Sequence, residues 1–236
     1  MSTGDPRESL VPATSAALVR AGAATLAKRG LNDLQLVESA DQLLKKAEEC
    51  FSGAVNRLAP YLKDFRYQEG IEDEEHCALM REHFLYLQRA VALAPNYPKA
   101  LYELANAFLK GFGVEKDGAE GLRLLCRAGD FASADELWKM SFDIAEGVRE
   151  GELRPEDMKV AERFCRKSAE EGHAGGQYNL AALYAKGGLF AEGDSGLPRD
   201  RALALYWLRK AAGNGEFPPA ENEIQHLWKR VRRKRK

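Results

Sequence analysis

The chain has 236 residues, 45% apolar and 30% charged, the mixture of a folded chain with a charged surface rather than a disordered one. Only nine Val, three Ile and three Thr stand against abundant Ala, Leu, Glu, Lys and Arg, which argues against an all-β or large parallel-sheet protein. The net charge of −1 hides an asymmetry: Lys229, Arg230, Arg232, Arg233, Lys234, Arg235 and Lys236 place seven positive charges in the last eight residues, leaving −8 on residues 1–228.

No uncharged stretch approaches the ~20 residues of a membrane span. Residues 1–8 carry Asp5 and Glu8 against Arg7, so they lack the positive start of a secretory signal. The four cysteines form no CxxC pair and read as reduced, buried thiols. The expected location is cytoplasmic, or nuclear if the tail acts as an address in a eukaryotic cell.

In chain order, residues 1–15 hold Gly4, Pro6 and Pro12 and read as a disordered head. Residues 16–98 read as an N-terminal helical cap or as degenerate repeats. Within it, helical spacing runs over Leu18–Gly30 and over Ser39–Leu58, where Leu43, Leu44, Ala47, Phe51, Ala54, Val55 and Leu58 share the pattern. Pro60 is expected to stop the second helix. The acidic run Glu72–Glu75 suits the start of a third, since carboxylates complement the positive end of a helix dipole. That helix should continue through Met80, Phe84, Leu87 and Val91 to Pro95.

A repeat follows. Residues 100–111 and 176–187 share tyrosine, leucine, alanine, an aromatic, lysine and glycine at identical spacing, and 136–147 is a weaker copy. The segments starting at Asp117, Asp157 and Asp200 also match, with Leu124, Phe164 and Trp207 in register and Arg127, Lys167 and Lys210 three residues later. Each copy reads as two short helices over 99–133, 134–173 and 174–216. Gly111, Gly147 and Gly187 are expected to end the first helix, and the aspartates to cap the second. Residues 217–230 read as a C-terminal capping helix, its helical run Pro219–Val231 passing into the basic tail of 229–236.

This pattern resembles the Sel1-like repeat family, the longer-looped relative of the tetratricopeptide repeat. Leu180-Ala181, Tyr184, Gly187, Asp200, Ala204, Trp207, Lys210-Ala211-Ala212 and Gly215 follow the family pattern, and Gly111-Phe112-Gly113-Val114 supplies its turn. Ala94-Pro95-Asn96-Tyr97-Pro98 looks more like a tetratricopeptide junction. The middle copy lacks the Gly-x-Gly turn. The resemblance implies an all-α, right-handed superhelical solenoid of stacked antiparallel helix pairs with capping helices at both ends. It also implies a non-catalytic scaffold or adaptor that holds a partner protein or peptide on its concave face.

If the first helix of each pair lines that face, as in tetratricopeptide relatives, the position two before the core leucine points inward. It holds Tyr102, Trp138 and Tyr178. Asn106, Phe142 and Ala182 follow four residues on, and then Lys110, Glu146 and Lys186. The expected contact residues are Tyr102, Asn106, Lys110, Trp138, Phe142, Tyr178 and Lys186, rigid aromatic area with orienting polar groups. The competing reading packs these aromatics between neighbouring pairs.

The tail offers a second reading, an adaptor for nucleic acid or an anionic membrane, against a merely solvated tail. Glu75, His76, Cys77 and His83 are the best metal-like cluster, but His76 and His83 stand two helical turns apart, too far for one ion, so no metal or cofactor is expected. No Gly-x-Ser-x-Gly or Cys–His signature and no phosphate loop is present, so no catalytic residues are assigned.

Overall fold

A computed structural model describes residues 33–63, 70–186 and 199–213. The expected head, the helix over 18–30, the inter-helix insertion near 188–194, the capping helix over 217–230 and the basic tail lie outside the described residues. Those residues are α-helical, with short turns and one 3-10 turn, and contain no strand. The helices are α1 (Asp33–Lys63), α2 (Glu74–Leu93), α3 (Pro98–Lys110), α4 (Gly118–Gly129), α5 (Ala134–Arg149), α6 (Met158–Glu170), α7 (Ala174–Lys186) and α8 (Arg201–Gly213). None of them is long and apolar enough to cross a membrane. The chain divides into two compact units. Unit 1 runs to Leu104 and includes Phe112–Val114; unit 2 comprises Ala105–Gly111 and the chain from Glu115 onward.

Unit 1 is built on the pairing of α1 with α2. Ala40, Leu44, Ala47 and Ala54 of α1 and Phe84, Leu87, Ala90 and Val91 of α2 are buried. Two histidines bridge the pair. The Nδ1–H of His76 donates to the Ala54 carbonyl and that of His83 to the Ala47 carbonyl, each at 2.9 Å. Both pairs of residues are seven apart and run in opposite directions, so the helices are antiparallel. A carbonyl can only accept, so both rings carry their proton on Nδ1. Phe51 packs 5.3 Å from His83 and 5.0 Å from Phe112, ring centre to ring centre. Gly113 closes the turn at φ +73, and a Cβ there would lie 1.9 Å from the Met80 carbonyl oxygen.

Pro60 does not end α1, which runs on to Lys63. A proline removes one donor and crowds one carbonyl, and the helix needs only one more turn beyond it. Tertiary bonds hold that turn: Arg57 and Tyr61 donate to Asp73 at 3.1 Å and 3.3 Å. Asp73 in turn caps α2 by accepting the His76 amide at 2.9 Å. That amide and the Arg57 guanidinium hold the Asp73 carboxyl below its ordinary value.

In unit 2 the pairs stack: α5 packs on α6, α6 on α7, α7 on α8, and the first helices α5 and α7 also touch. Met140, Ile144, Leu180 and Leu183 on first helices and Leu124, Leu125, Phe164 and Cys165 on second helices form the core. The burial of each large side chain stabilises the stack by about 1.5–3 kcal/mol. Small residues let copies interlock. A Cβ on Gly129 would meet the Phe164 ring at 2.4 Å, and one on Gly121 would meet Leu109 at 2.7 Å. That is why the first copy carries glycine where the second and third have alanine.

Two cap expectations need correction in the middle copy. Asp117 and Asp200 cap their helices, accepting amides of Glu120 at 2.9 Å and of Ala202 and Leu203 at 2.8 Å and 3.0 Å. Their own amides donate to the carbonyls of Phe108 and Tyr184, equivalent residues of the first and third copies. Asp157 instead closes a 3-10 turn, accepting the Arg154 amide at 3.0 Å, and makes no cap bond to α6. Gly147 lies inside α5, which continues to Arg149, and Gly151 at φ +77 makes the turn. Without the Gly-x-Gly pair after position 147, nothing forces the helix to stop there.

Burial holds the His83 pKa below its ordinary value, against the opposing pull of the Ala47 carbonyl. A depressed folded value means that this ring supports folding fully above the unfolded pKa of about 6.5 and progressively less below it. Urea unfolding at pH 7.5 and 5.5 should therefore show a larger acid loss for the native chain than for His83→Gln. Gly129→Ala should cost about 1–3 kcal/mol by overpacking, with part recovered by Phe164→Leu in the same chain.

Candidate functional site

The first helices of unit 2 present a row that begins at α5. Trp138, Phe142, Glu146 and Glu150 stand four residues apart and so fall on one stripe of that helix or its cap. α5 starts in a capping box: Ser133 Oγ accepts the Glu136 amide at 3.4 Å, and the Glu136 carboxylate accepts the Ser133 amide at 2.8 Å. The Ser133-x-x-Glu136 pattern of this box is visible in the sequence.

Lys110, on α3, donates to Glu146 at 3.0 Å and to Glu150 at 3.2 Å. Lys110 and Glu146 hold the same position in consecutive copies and are 36 residues apart, so equivalent positions lie side by side. Burial opposes the Lys110 charge, but the bonds to Glu146 and Glu150 outweigh it and raise its pKa. Arg149 also approaches Glu146 at 3.4 Å. The carboxylates Glu146 and Glu150 belong to this row, but were not among the expected contact residues.

The other expected residues divide. Phe142 is 43% exposed. Trp138 is half-buried, 5.2 Å from the His173 ring between centres, and a Cβ on Gly175 would stand 2.7 Å from its indole. Trp138 thus packs between copies. Asn106 and Tyr178 are half-buried in unit 2, and Tyr102 is half-buried in unit 1. Lys186 is the last residue of α7, and its side chain lies outside the described residues. The same is true of all seven basic-tail residues.

Polar bonds tie α6 to its neighbours. Ser168 donates to the Ala134 carbonyl at 2.6 Å, and Lys167 to that of Gly129 at 3.1 Å. Arg166 meets both Glu162 and the Tyr184 hydroxyl of the next copy, and that hydroxyl lies 3.4 Å from Glu162. The repeat pattern places Tyr184 but does not show this hydroxyl contact.

Reactive groups are engaged elsewhere. Burial pushes the Cys165 thiol up to about 12, far from thiolate chemistry at neutral pH. His76 and His83 are used on backbone carbonyls. His173 Nδ1 accepts the Gly176 amide at 3.1 Å while Nε2 faces Asp135 at 3.4 Å. Among the described residues no group of three or more His, Cys, Asp or Glu could hold a metal ion.

The Lys110→Met and Glu146→Gln double-mutant cycle should give a coupling of about 0.2–1 kcal/mol in urea unfolding, shrinking as salt is raised.

The Sel1 repeat family model matches residues 98–130, 145–173 and 174–216. Its second match begins inside α5, consistent with the divergent first half of the middle copy. No curated protein is a significant match. Among solved structures, the chain is similar to a Sel1 repeat protein from Oxalobacter formigenes, with 24% identity, TM-score 0.45, 83% of this chain and 48% of that one covered. It is also similar to a protective antigen of uropathogenic Escherichia coli with an SLR fold, with 18% identity, TM-score 0.47, 81% of this chain and 42% of that one covered. The chain therefore spans less than half the length of either structure.

Proposed function

This chain is a Sel1-like repeat protein, and from that premise we propose that unit 2 is a non-catalytic scaffold that docks a segment of a partner protein on its first-helix face. Sel1 repeats generally mediate protein interactions. The observation that carries the reading is Phe142, a large aromatic left 43% exposed on the same stripe as the Glu146 and Glu150 carboxylates. An aromatic beside charged groups supplies what interface anchors use: rigid apolar area and oriented polar partners. The partner segment would set an apolar side chain against Phe142 and a donor against the carboxylates that Lys110 now engages. Trp138 serves by holding the next copy in place rather than by touching the partner.

The test is affinity capture with mass spectrometry, comparing the native chain with Phe142→Glu and checking both folds by circular dichroism. Loss of an anchor worth about 2 kcal/mol or more should cut partner recovery by well over tenfold. Equal recovery by a folded Phe142→Glu chain would overturn the assignment.

A further inference from the structure

The second helices of unit 2 share one register, and the third copy departs from the other two in its charges. In the first copy Glu120 pairs with Arg123 at 2.6 Å, and in the second Glu162 meets Arg166. The third-copy equivalents of those two carboxylates are Leu203 and Leu205. Arg209 still stands at the Arg166 position, and Lys210 at that of Lys167. α8 therefore carries Arg201, Arg209 and Lys210 and no carboxylate. Asp200, just before it, is occupied by the Ala202 and Leu203 amides.

Apolar area lies beside these cations. Ala204, Trp207, Leu208 and Ala211 are buried, which leaves Ala202, Leu205, Tyr206, Arg209 and Lys210 along another stripe of the helix. These five line an open hollow of about 450 Å³. That volume is within the ~300–1,000 Å³ of pockets that accept a ligand. Tyr206 is 48% exposed and Leu203 40%. Lys210 stands 5.0 Å from the centre of the Tyr206 ring, so a cation is held against aromatic surface with no carboxylate on its own helix. Residues 187–198 and 214–236, on either side of α8 in the chain, carry seven Lys and Arg, Lys229 and Arg230 among them, against five Asp and Glu. The surrounding sequence thus adds to the positive charge of α8, and a negatively charged partner complements it. A phosphate backbone has no apolar group to fill the hollow, and a flat bilayer does not enter it. Carboxylates next to a leucine or phenylalanine supply both contacts.

We propose that α8 docks an acidic segment of a partner protein, with an apolar side chain of that segment in the hollow against Leu205 and Tyr206 and its carboxylates on Arg209 and Lys210. This surface belongs to a second helix and does not depend on the first-helix face around Phe142.

Fluorescence anisotropy with the full chain tests this. The probe is a short fluorescein-labelled peptide of Glu, Leu and Phe; the controls are its Gln-for-Glu counterpart, oligo(dT) and phosphatidylserine vesicles. The acidic peptide should bind ~10-fold or more tightly than the Gln peptide, and less tightly as salt is raised. The Arg209→Gln, Lys210→Gln double variant and, separately, Tyr206→Ala should each weaken it ~10-fold or more, with folds checked by circular dichroism. Phe142→Glu should leave it unchanged, and so should removal of Lys229–Lys236 apart from a small loss of long-range attraction. No binding of the acidic peptide, or equal binding of the Gln peptide, overturns the proposal. So does binding that is lost with Lys229–Lys236 but indifferent to the α8 variants. Tighter binding of oligo(dT) or of the vesicles overturns it in favour of a phosphate-bearing partner. A dimer mass by light scattering that the α8 variants abolish overturns it in favour of a second copy.

Discussion

A helix of about 13 residues is marginal alone in water, and a pair of them still leaves one apolar side uncovered. Each copy in unit 2 must therefore lean on the next. What permits this is the matching of small and large residues across the joint. Phe164 occupies the space a Cβ on Gly129 would need, Trp138 that on Gly175, and Ser168 that on Gly176. Each glycine is paired with a bulky or polar side chain that reaches over from a neighbouring helix. A substitution at one of these glycines would therefore disturb two helices at once.

The polar bonds within and between copies set register more than strength. A hydrogen bond of the Ser168–Ala134 kind contributes about 0.5–1.5 kcal/mol net, less than burying one leucine. Its geometry, however, allows only one alignment. Lys167 on the Gly129 carbonyl, Arg166 on Tyr184 and Lys110 on Glu146 all fix consecutive copies in one phase. That phase lines up equivalent positions and turns separate side chains of α5 into a continuous row with Lys110. The proposed docking face is a product of this register rather than of any single helix.

Unit 1 solves the same problem differently. α1 has 31 residues, and its contact with α2 includes two histidines set on backbone carbonyls. Those rings satisfy their own donors inside an apolar joint, where an unpaired polar group would cost about 1–3 kcal/mol. Burial of the His83 ring makes this joint sensitive to acid.

Periodicity was enough to recognise helix pairs, the repeat and its register, because spacing along the chain directly encodes which side of a helix is apolar. Leu104, Met140 and Leu180 are buried as their shared position implies. Local chemistry was also sufficient for the caps at Asp117 and Asp200 and for the acidic start of α2 at Glu72–Glu75. The chain alone did not reveal that α1 passes Pro60, that Asp157 turns back on Arg154, or that Lys110 is spent on Glu146 and Glu150. Nor did it separate Trp138, which packs between copies, from Phe142, which faces outward. All of these depend on partners 16 to 40 residues away or on the shape of a particular turn. Periodicity assigns a side chain to a face, but what stands opposite that face is known only once the copies are stacked.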